Sequence, residues 1–350
     1  MEIIIDPRLK INYSSWYIKG LFDLTRKKAI KFSEITHTED LYSNKQDYEK
    51  GMTFIISKNG KQTKIFIDFH DGNSISVKHY EWCDIYAKIN LTESDMLAYP
   101  KTMPIGPSFG IDILSIGLLC KIGLALIRTD TKPVSYKEYI RDFLFLKIRR
   151  KKYETYLNAK SKEDYIFTIS TLWYDHLTAN TTNKFRGEFV KNAKKIFQKF
   201  EGGFFFIEGK QVEDEFPGYR NYLEQYKDFI YTKRISPKEY IDKTKDSSLV
   251  FNTPSVGGCH GWKLAEYLAM GKAIISTPLN NLMPSTHTHT HTREIDGAML
   301  VINDVKSLEQ EMLRLKNDMN FRKNLERAAT RYFHSYLAPK KVVQRIVEKC

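Results

Sequence analysis

The sequence predicts an α/β protein built from two doubly wound domains that face each other across a cleft. Apolar strand-like segments alternate with longer amphipathic segments, and this alternation occurs twice along the chain. A length of 350 residues suits two domains of roughly 150 residues, each large enough for its own core. We therefore expect domains over residues 1–160 and 161–330, followed by a terminal segment over residues 331–350.

The elements of the N-terminal domain are predicted from short apolar strands and the residues between them. The pair Asn59-Gly60 separates two apolar segments and is typical of a turn. The loops after Ile5 and Asp68 would face the cleft, as strand carboxyl ends do in doubly wound sheets. In chain order we expect a strand over residues 2–5, a helix over 16–31, strands over 54–56, 64–68 and 83–89, an irregular Pro- and Gly-rich segment over 103–110, and a long basic helix over 135–159.

The second series repeats the alternation after that helix. Ser236, Pro237 and Glu239 indicate a helix start, with serine as the N-cap, proline at the first helical position and glutamate at the third. Gly271 is placed to end another helix, because glycine is common just past a helix C-terminus. In chain order we expect a strand over residues 165–170, a loop over 171–183, a helix over 186–200, strands over 203–208, 228–231, 249–251 and 273–275, and helices over 308–325 and 340–348.

The composition is that of a globular protein with an excess of basic residues. Hydrophobic residues make up 42% and charged residues 28% of the chain, and the formal net charge is +13. We rank three explanations in this order: lysine-rich solvated helix faces, an anionic membrane surface, and nucleic acid. Nucleic acid comes last because no zinc-ligand spacing, recognition-helix pattern or RNA-binding aromatic motif accompanies the charges.

Cysteine usage and the N-terminus predict a cytoplasmic protein. The four cysteines show no Cys-x-x-Cys pairing, so neither a disulfide framework nor a zinc site is expected. The first residues indicate a strand rather than a signal peptide. The apolar segment over residues 111–127 contains Lys121 and is too short to span a bilayer. We interpret it as a buried or an interfacial helix, so any membrane association would be peripheral, at the inner face.

Residues 257–278 carry the clearest functional pattern. A glycine-rich loop that includes Gly258 and His260 opens a short helix, and N–H groups at a helix start can hold an anion. Lys263 and Glu266 are three residues apart, hence on one face of that helix. Lys263 can neutralise phosphate, Glu266 can accept hydrogen bonds from sugar or ribose hydroxyls, and His260 can contact either group. This combination suits a nucleotide diphospho-sugar.

The same stretch resembles the donor-binding signature of GT-B-fold glycosyltransferases. In their retaining group 1 families, a Glu is followed by a small-residue helix, a Gly and a strand of the type G-K-P-V-I-x-T. Glu266, residues 271–275 and Thr277 match that half. Those families carry a first Glu eight positions earlier, where Gly258 stands here. The Lys263/Glu266 pair instead resembles the Lys/Arg-x-x-Glu arrangement of exostosin-like and some inverting GT-B enzymes, so retention and inversion both stay open.

The resemblance implies two Rossmann-like domains, with the nucleotide sugar bound by the C-terminal domain and the acceptor by the N-terminal domain. It also implies that the final helix, within residues 331–350, crosses back onto the N-terminal domain. GT-B enzymes need no bound metal, because protein cations and helix N-termini stabilise the leaving diphosphate. We therefore expect no cofactor beyond the nucleotide diphospho-sugar as co-substrate, and a glycan or lipid-linked glycan as acceptor.

Further donor-binding candidates follow the strand ends of the second domain. Ser170 and Thr171 end its first strand, and Arg186 begins the next helix. Lys233 and Arg234 follow a later strand, in a region that lies beside the nucleotide in GT-B enzymes. Each has an ordinary alternative as a helix cap, a loop hydrogen bond or a surface charge.

A general base would be needed for an inverting reaction, and His70 and Asp71 are the best-placed candidates. They follow a predicted strand in the N-terminal domain. The alternative is turn formation, because Asp71-Gly72 is a favoured turn dipeptide.

A Thr-His repeat over residues 286–292 would place three imidazoles on one face of a strand. No carboxylate or cysteine has metal-ligand spacing with it, so we expect a variable loop near the donor cleft rather than a metal site.

Together these observations predict a glycosyltransferase that moves a sugar from a nucleotide diphospho-sugar to a glycan hydroxyl, for example in surface polysaccharide biosynthesis. The alternatives are a sugar-nucleotide-modifying enzyme of similar fold and a non-catalytic GT-B-like binding subunit. Gly258, in place of the first Glu, keeps the last of these open.

Overall fold

The computed structural model describes residues 1–26, 29–35, 40–173, 179–206, 219–285, 295 and 297–350. Within them the chain forms two compact units. Unit 1 contains the described residues of 1–155, 281–292 and 334–350, and unit 2 those of 156–280 and 293–333.

Unit 1 is a mixed six-stranded sheet with helices. Its strands are β1 (Glu2–Ile5), β2 (Ile30–Phe32), β3 (Gly51–Lys58), β4 (Lys61–Asp68), β5 (Ile85–Lys88) and β6 (Thr102–Pro104). Its helices are α1 (Ile11–Leu24), α2 (Lys45–Lys50), α3 (Val77–Trp82), α4 (Glu93–Ala98), α5 (Ile116–Ile127), α6 (Tyr136–Arg149) and the terminal helix (Pro339–Val347). The strand order is β2-β1-β3-β4-β5-β6.

One strand of unit 1 departs from the doubly wound pattern. β3 is antiparallel to both β1 and β4, whereas the other pairings are parallel. The cause is the two-residue turn of Asn59 and Gly60, whose φ angles of +52° and +81° are both left-handed. Such a turn reverses the chain at once and leaves no room for a crossover helix. The doubly wound prediction therefore holds for the parallel strands of this unit and fails for β3.

The terminal helix packs against α1 in unit 1. A Cβ added at Gly20 would lie 2.2 Å from the carbonyl oxygen of Pro339, so glycine permits this close approach. The indole Nε1 of Trp16 donates to the carbonyl of Leu337 at 3.2 Å. Trp16 is fully buried, so this contact anchors the last residues of the chain to the core of unit 1.

Unit 2 alternates strands and helices, and its strand pairings are parallel. Its strands are β7 (Tyr165–Thr171), β8 (Lys199–Phe205), β9 (Ile230–Tyr231), β10 (Val250–Asn252), β11 (Ile274–Ser276) and β12 (Leu300–Val301). Its helices are α7 (Lys184–Ile196), α8 (Tyr219–Gln225), α9 (Pro237–Asp246), α10 (Trp262–Met270), α11 (Lys306–Asn317) and α12 (Met319–Tyr332).

The strands of unit 2 form two parallel ladders, β7-β8-β9 and β10-β11-β12. The ladders meet where the Ser248 N–H donates to the Tyr165 carbonyl at 2.7 Å and the Phe167 N–H donates to the Ser247 hydroxyl at 3.0 Å. Across the unit the strands therefore follow the order β9-β8-β7-β10-β11-β12. The chain reverses its direction of progress between β7 and β10, and ligands of open α/β sheets bind outside the strand carboxyl ends at such a point.

One hydrophobic core holds unit 2 together. It combines strand residues such as Ile166, Phe251 and Ile275 with helix residues such as Phe189 and Leu308. The rings of Phe189 and Phe251 stack with centroids 5.0 Å apart, which fixes α7 against β10. Both ladders therefore pack on one core next to the switch point.

The structure confirms two predicted helix boundaries in unit 2. α10 ends at Gly271, which has a left-handed φ of +66°. α9 begins after Ser236, whose hydroxyl accepts a hydrogen bond from the Glu239 N–H at 3.1 Å.

Other boundaries differ from the predicted ones. α1 begins at Ile11 rather than Trp16. α6 ends at Arg149, before the predicted end at residue 159, and Arg150 adopts an extended conformation. β8 begins at Lys199, inside the predicted helix 186–200, because Gly202 lets the strand approach β7. A Cβ at Gly202 would lie 1.7 Å from the Thr168 carbonyl.

Candidate functional site

The candidate site is a cavity of about 130 Å³ at the carboxyl ends of β7 and β10 in unit 2. β7 contributes Ser170 and Thr171, and Thr253 follows β10 directly. The lining residues are Ser170, Thr171, Trp173, Arg186, Phe251, Asn252, Thr253, Ser255, Gly261, Trp262 and Lys263. This described lining holds two cationic side chains and no carboxylate, so the cavity is electropositive.

Arg186, one of the two cations, is fixed by hydrogen bonds to both strand ends. Its Nε donates to the Thr253 hydroxyl at 2.9 Å, and its Nη1 donates to the Thr171 carbonyl at 3.0 Å. Burial lowers the pKa of Arg186 to about 10, so the guanidinium remains charged at neutral pH. Arg186 lies in the first turn of α7, so its permanent positive charge lies at the switch point between β7 and β10.

Lys263, the other cation, lies in the first turn of α10. Burial lowers the pKa of Lys263 to about 7; the positive charge of Arg186 acts in the same direction, and Glu266 acts against both. Its ammonium donates no hydrogen bond to any residue that the structure describes. Its surroundings therefore stabilise the charge on Lys263 poorly, and an anion beside it would stabilise that charge.

The start of α10 adds a second feature that favours an anion. Gly261 is its N-cap residue and supplies no side-chain hydrogen bond to the first N–H groups. The first turn contains no acidic residue. The positive end of the helix dipole therefore lies beside Lys263.

Glu266 lies on the same face of α10, one turn beyond Lys263, and is buried. Its Oε2 accepts a hydrogen bond from the Tyr240 hydroxyl of α9 at 2.8 Å. Burial, and then the charge of Glu266, raise the pKa of Tyr240 well above its ordinary value, so the phenol remains the donor. Glu266 is outside the described lining of the cavity, and it supports Lys263 by raising the pKa of the ammonium.

A larger cavity of about 560 Å³ adjoins the first and shares Thr253 and Ser255 with it. The glycine loop before α10 forms part of its wall. Gly257 and Gly258 have φ angles of +60° and +76°, and a Cβ at Gly258 would lie 2.4 Å from Nδ2 of Asn280. A glutamate at position 258 would need a strained left-handed φ and a displacement of the Asn280 side chain, so the position favours glycine.

The remaining donor candidates of unit 2 lie outside both cavities as described. His260 is buried in the loop before α10. Lys233 is exposed and pairs with Glu239 at 3.5 Å, and Arg234 is exposed as well. The structure therefore brings Ser170, Thr171, Arg186 and Lys263 together around one cavity and Gly258 around the next, and it does not bring Lys233 or Arg234 to either.

His70 and Asp71 follow β4 in unit 1, and the local hydrogen bonds of His70 are those of a turn. Its N–H donates to Oδ1 of Asp68 at 2.9 Å, and its Nδ1 accepts from the Gly72 N–H at 3.0 Å. A neutral ring with this acceptor carries its proton on Nε2, so it offers no basic nitrogen to a substrate in this arrangement. The role of the pair as general base stays a prediction.

Several cavity residues were missed by the sequence interpretation. Asn252 and Thr253 follow directly after a predicted strand, and this position at a strand end is the signal that could have identified them. Trp173 lines the cavity, and its buried Nε1–H has no hydrogen-bond partner among the described residues. A buried, unsatisfied donor at a cavity wall is a group that a polar ligand can satisfy.

No group of three or more His, Cys, Asp or Glu side chains that could hold a metal ion occurs in the described part of the chain. The Thr-His repeat of residues 286–292 lies outside the described residues, so its predicted role as a variable loop stays a prediction.

Comparison with known proteins gives distant structural likenesses and no sequence family. No protein-family model and no curated protein matches the chain. HepE of Anabaena, solved in complex with UDP, is 10% identical with a TM-score of 0.43, covering 81% of this chain and 71% of its own. A TarM mutant of S. aureus, solved with Fondaparinux, alpha-GlcNAc-glycerol and UDP, is 10% identical with a TM-score of 0.41, covering 93% and 52%.

The accessory secretory protein 1, 2 and 3 structure of Streptococcus pneumoniae is also similar, at 10% identity and a TM-score of 0.38, covering 78% of this chain. The chain spans 43% of that structure's length. At these identities and TM-scores the likenesses do not assign an activity to this chain, and the functional conclusion rests on the geometry of unit 2.

Proposed function

We propose that unit 2 binds a nucleotide diphospho-sugar and that the protein is a glycosyltransferase acting on a glycan or lipid-linked glycan hydroxyl. The observation that carries the proposal is the pairing of Arg186 and Lys263 at a cavity whose described lining holds no carboxylate. Burial lowers the pKa of both cations, and an anion bound between them would stabilise their charged forms. The resemblance of residues 271–275 and their flanks to a GT-B donor signature supports the same ligand.

The diphosphate is the part of the donor that fits the small cavity. Arg186 offers a planar guanidinium, Lys263 an ammonium, and the start of α10 adds backbone N–H groups. In glycosyl transfer the bond between the anomeric carbon and the diphosphate oxygen breaks, and the diphosphate leaves with the electron pair. Positive groups fixed in advance stabilise that developing charge without a metal ion.

The remainder of the donor fits the adjoining cavity of about 560 Å³, which lies within the size range of ordinary ligand pockets. Its wall of Gly257 and Gly258 allows close approach of the ligand to the backbone. Phe185 offers an aromatic face, and Asn280 and Thr181 offer polar groups. We assign the sugar or the nucleoside to this space. Glu266 and His260 lie outside its described lining and stay predicted contacts to hydroxyls of the donor.

The acceptor hydroxyl oxygen forms the new bond to the anomeric carbon and loses its proton. In an inverting reaction the proton passes to a general base. Of the predicted pair His70 and Asp71, Asp71 is the proposed base, because Nδ1 of His70 accepts the Gly72 N–H. In a retaining reaction the leaving diphosphate oxygen can take it. The proposal covers both outcomes.

A non-catalytic binding subunit is the second candidate function, and Gly258 is the observation that favours it. The left-handed φ of +76° and the contact with Asn280 disfavour a glutamate at this position. A protein that keeps the phosphate site but lacks this carboxylate would bind a sugar nucleotide without turning it over.

A thermal-shift screen against UDP-, GDP- and ADP-sugars tests the proposal, with a CMP-sugar as the monophosphate contrast. At about a hundredfold excess over its Kd, a cognate donor should raise Tm by roughly 5 °C. Lys263→Met should abolish the shift, whereas Lys191→Met on the exposed face of α7 should preserve it. A protein stabilised by DNA and by none of the sugar nucleotides would contradict the proposal.

An assay of nucleotide release from the same donor then distinguishes an enzyme from a non-catalytic binding subunit. An enzyme releases free nucleotide from the stabilising donor when acceptor glycans are supplied, and Glu266→Gln should slow that release. Stabilisation with no nucleotide release under any acceptor condition would assign the second function.

A further inference from the structure

α5 and α6 of unit 1 form an exposed apolar surface. Ile116 is 82% exposed and Ile127 66% exposed on α5, and Ile140 and Ile148 are 60% and 65% exposed on α6. Nine of the fifteen exposed large apolar side chains among the described residues lie between Ile116 and Ile148. An apolar surface this concentrated on two neighbouring helices indicates an interaction site.

A groove of about 640 Å³ lies between the two helices and is lined largely by apolar side chains. Leu119 and Ile127 form its α5 wall, and Ile140 and Leu144 form its α6 wall. Tyr139 is buried at its base, so the groove is shallow and closed toward the core. The opposite side of each helix supplies core residues, such as Leu118 and Leu146, which explains why both helices remain folded with this side uncovered.

Basic residues are concentrated in the segment that carries this apolar surface. Residues 115–152 carry ten Lys or Arg and three Asp or Glu, so more than half of the net charge of +13 lies in this segment. Two of the three carboxylates are engaged within unit 1: Glu138 pairs with Arg141, and Asp142 accepts from the Tyr48 hydroxyl at 2.6 Å.

Four basic side chains of this segment, which we call the basic rim, are exposed and form no ion pair among the described residues. They are Lys121, Arg128, Lys137 and Arg149. Lysine and arginine near an apolar surface extend their charged ends outward, toward a polar or anionic layer, while their stems lie along the apolar region.

We propose that α5 and α6 dock unit 1 onto an anionic lipid bilayer, with their apolar side chains in the interface and the basic rim on the headgroups. A bilayer interface supplies both an apolar layer and negative charge, which matches this surface in both respects. Nucleic acid matches the charge but not the apolar centre. A second copy of the chain matches the apolar centre but would bring two basic rims together, and like charges so placed repel.

The proposed docking is peripheral. Among the helices that the structure describes, none is long and apolar enough to cross a membrane. The inference is independent of the proposed nucleotide site, because its residues lie in unit 1 and the phosphate cavity lies in unit 2.

Sedimentation with vesicles tests the proposal on the full chain. The protein should pellet with vesicles of equimolar phosphatidylcholine and phosphatidylglycerol and remain in solution with phosphatidylcholine alone, and raised salt should release it. Reversing two rim charges in the variant Lys137→Glu/Arg149→Glu should weaken the partition at least about tenfold. The matched reversal Lys340→Glu/Lys341→Glu on the terminal helix should leave it within about twofold.

The apolar contribution needs its own variant. Ile140→Glu/Leu144→Glu should abolish pelleting, whereas Leu97→Glu on α4, which is 76% exposed elsewhere in unit 1, should not. Circular dichroism and the sugar-nucleotide thermal shift confirm that each variant is folded. A failure of nucleotide binding in the wild type would not affect this readout.

Cys120 on α5 provides a direct probe of insertion. It is the one cysteine that is fully on the surface among the four, since Cys83 and Cys259 are buried and Cys350 is half-buried. An environment-sensitive dye on Cys120 in a Cys350→Ser background should shift to the blue with anionic vesicles. Equal binding to neutral vesicles, no dye shift, or a stable dimer in lipid-free solution that Ile140→Glu/Leu144→Glu dissociates would each overturn the proposal.

Discussion

At the scale of single residues, the charge of Lys263 explains why the cavity at the ends of β7 and β10 favours an anion. Its ammonium is in the first turn of α10, beside the fixed guanidinium of Arg186. Two like charges in a partly buried space repel and are poorly solvated, which lowers the pKa of Lys263 to about 7. The negative charge of a bound diphosphate would offset both effects and raise that pKa.

This linkage predicts pH-dependent binding of a sugar nucleotide. Because the diphosphate binds the protonated lysine more tightly, its Kd should be constant below about pH 7 and rise as pH increases above it, by up to about tenfold per unit. Calorimetric titrations with the stabilising sugar nucleotide between about pH 6 and pH 9 measure this slope. The diphosphate of such a donor has no free phosphate monoester, so its own charge does not change in that range.

Lys263→Arg is the matched control, because arginine stays protonated throughout this range. The variant should bind with little pH dependence. A wild-type affinity that does not change above pH 7, or an arginine variant with the same slope, would exclude Lys263 as the titrating group.

The sequence identified some of these site residues and missed others. Lys263 follows from the glycine loop and from the Lys-x-x-Glu spacing, both of which are local features. Arg186 and Thr253 are far apart in sequence, and their hydrogen bond of 2.9 Å depends on β7 and β10 being neighbours. Sequence spacing carries no information on that neighbourhood, so Thr253 could be found only after the strand order was known.

At the scale of elements, α10 and the strand after it are held by a buried lysine rather than by a ligand. Lys272 is fully buried between α10 and β11. Its ammonium donates to the Ser161 hydroxyl at 2.6 Å, to the Lys245 carbonyl at 2.8 Å and to the Ser247 carbonyl. Position 272 matches the lysine of the GT-B signature, and in this structure that lysine supports the fold around the site.

Lys272→Met should therefore destabilise the protein. The side chain keeps its volume, but two buried carbonyls lose their donor, and each costs about 1–3 kcal/mol. Urea denaturation should show a loss of roughly 2–5 kcal/mol in the free energy of unfolding.

The exposed Lys238→Met on α9 is the comparison, and it should change that free energy by less than about 1 kcal/mol. A fully stable Lys272→Met variant would mean that its three hydrogen bonds contribute little to the fold.

Elements with local signals were predictable, and those set by distant contacts were not. Ser236, Pro237 and Gly271 marked helix ends correctly because caps depend on the adjacent backbone. The start of β8 was missed because Gly202 matters through its approach to Thr168, a residue of another strand. The Asn59-Gly60 turn was found from sequence, yet the antiparallel placement of β3 in an otherwise parallel sheet was not anticipated.

At the scale of the whole molecule, the excess of positive charge has two distinct locations. The two cations of the cavity in unit 2 are partly buried and suit a small anion. The basic rim of α5 and α6 in unit 1 is exposed and lies in the segment that carries an apolar groove. From composition alone we ranked solvated helix faces above a membrane surface as the explanation of the net charge. Composition does not show whether lysines lie beside apolar side chains or beside carboxylates.

The most direct test of the central claim is the affinity of the stabilising sugar nucleotide, measured by calorimetry for a variant without the two cavity cations. Arg186→Met/Lys263→Met should weaken binding at least about a hundredfold, because each charged hydrogen bond is worth about 1.5–3 kcal/mol. Lys191→Met/Lys195→Met, which removes two exposed charges from the same helix region, should bind within about twofold of the wild type. Unchanged affinity in the cavity variant would contradict the account, because the nucleotide would then bind elsewhere.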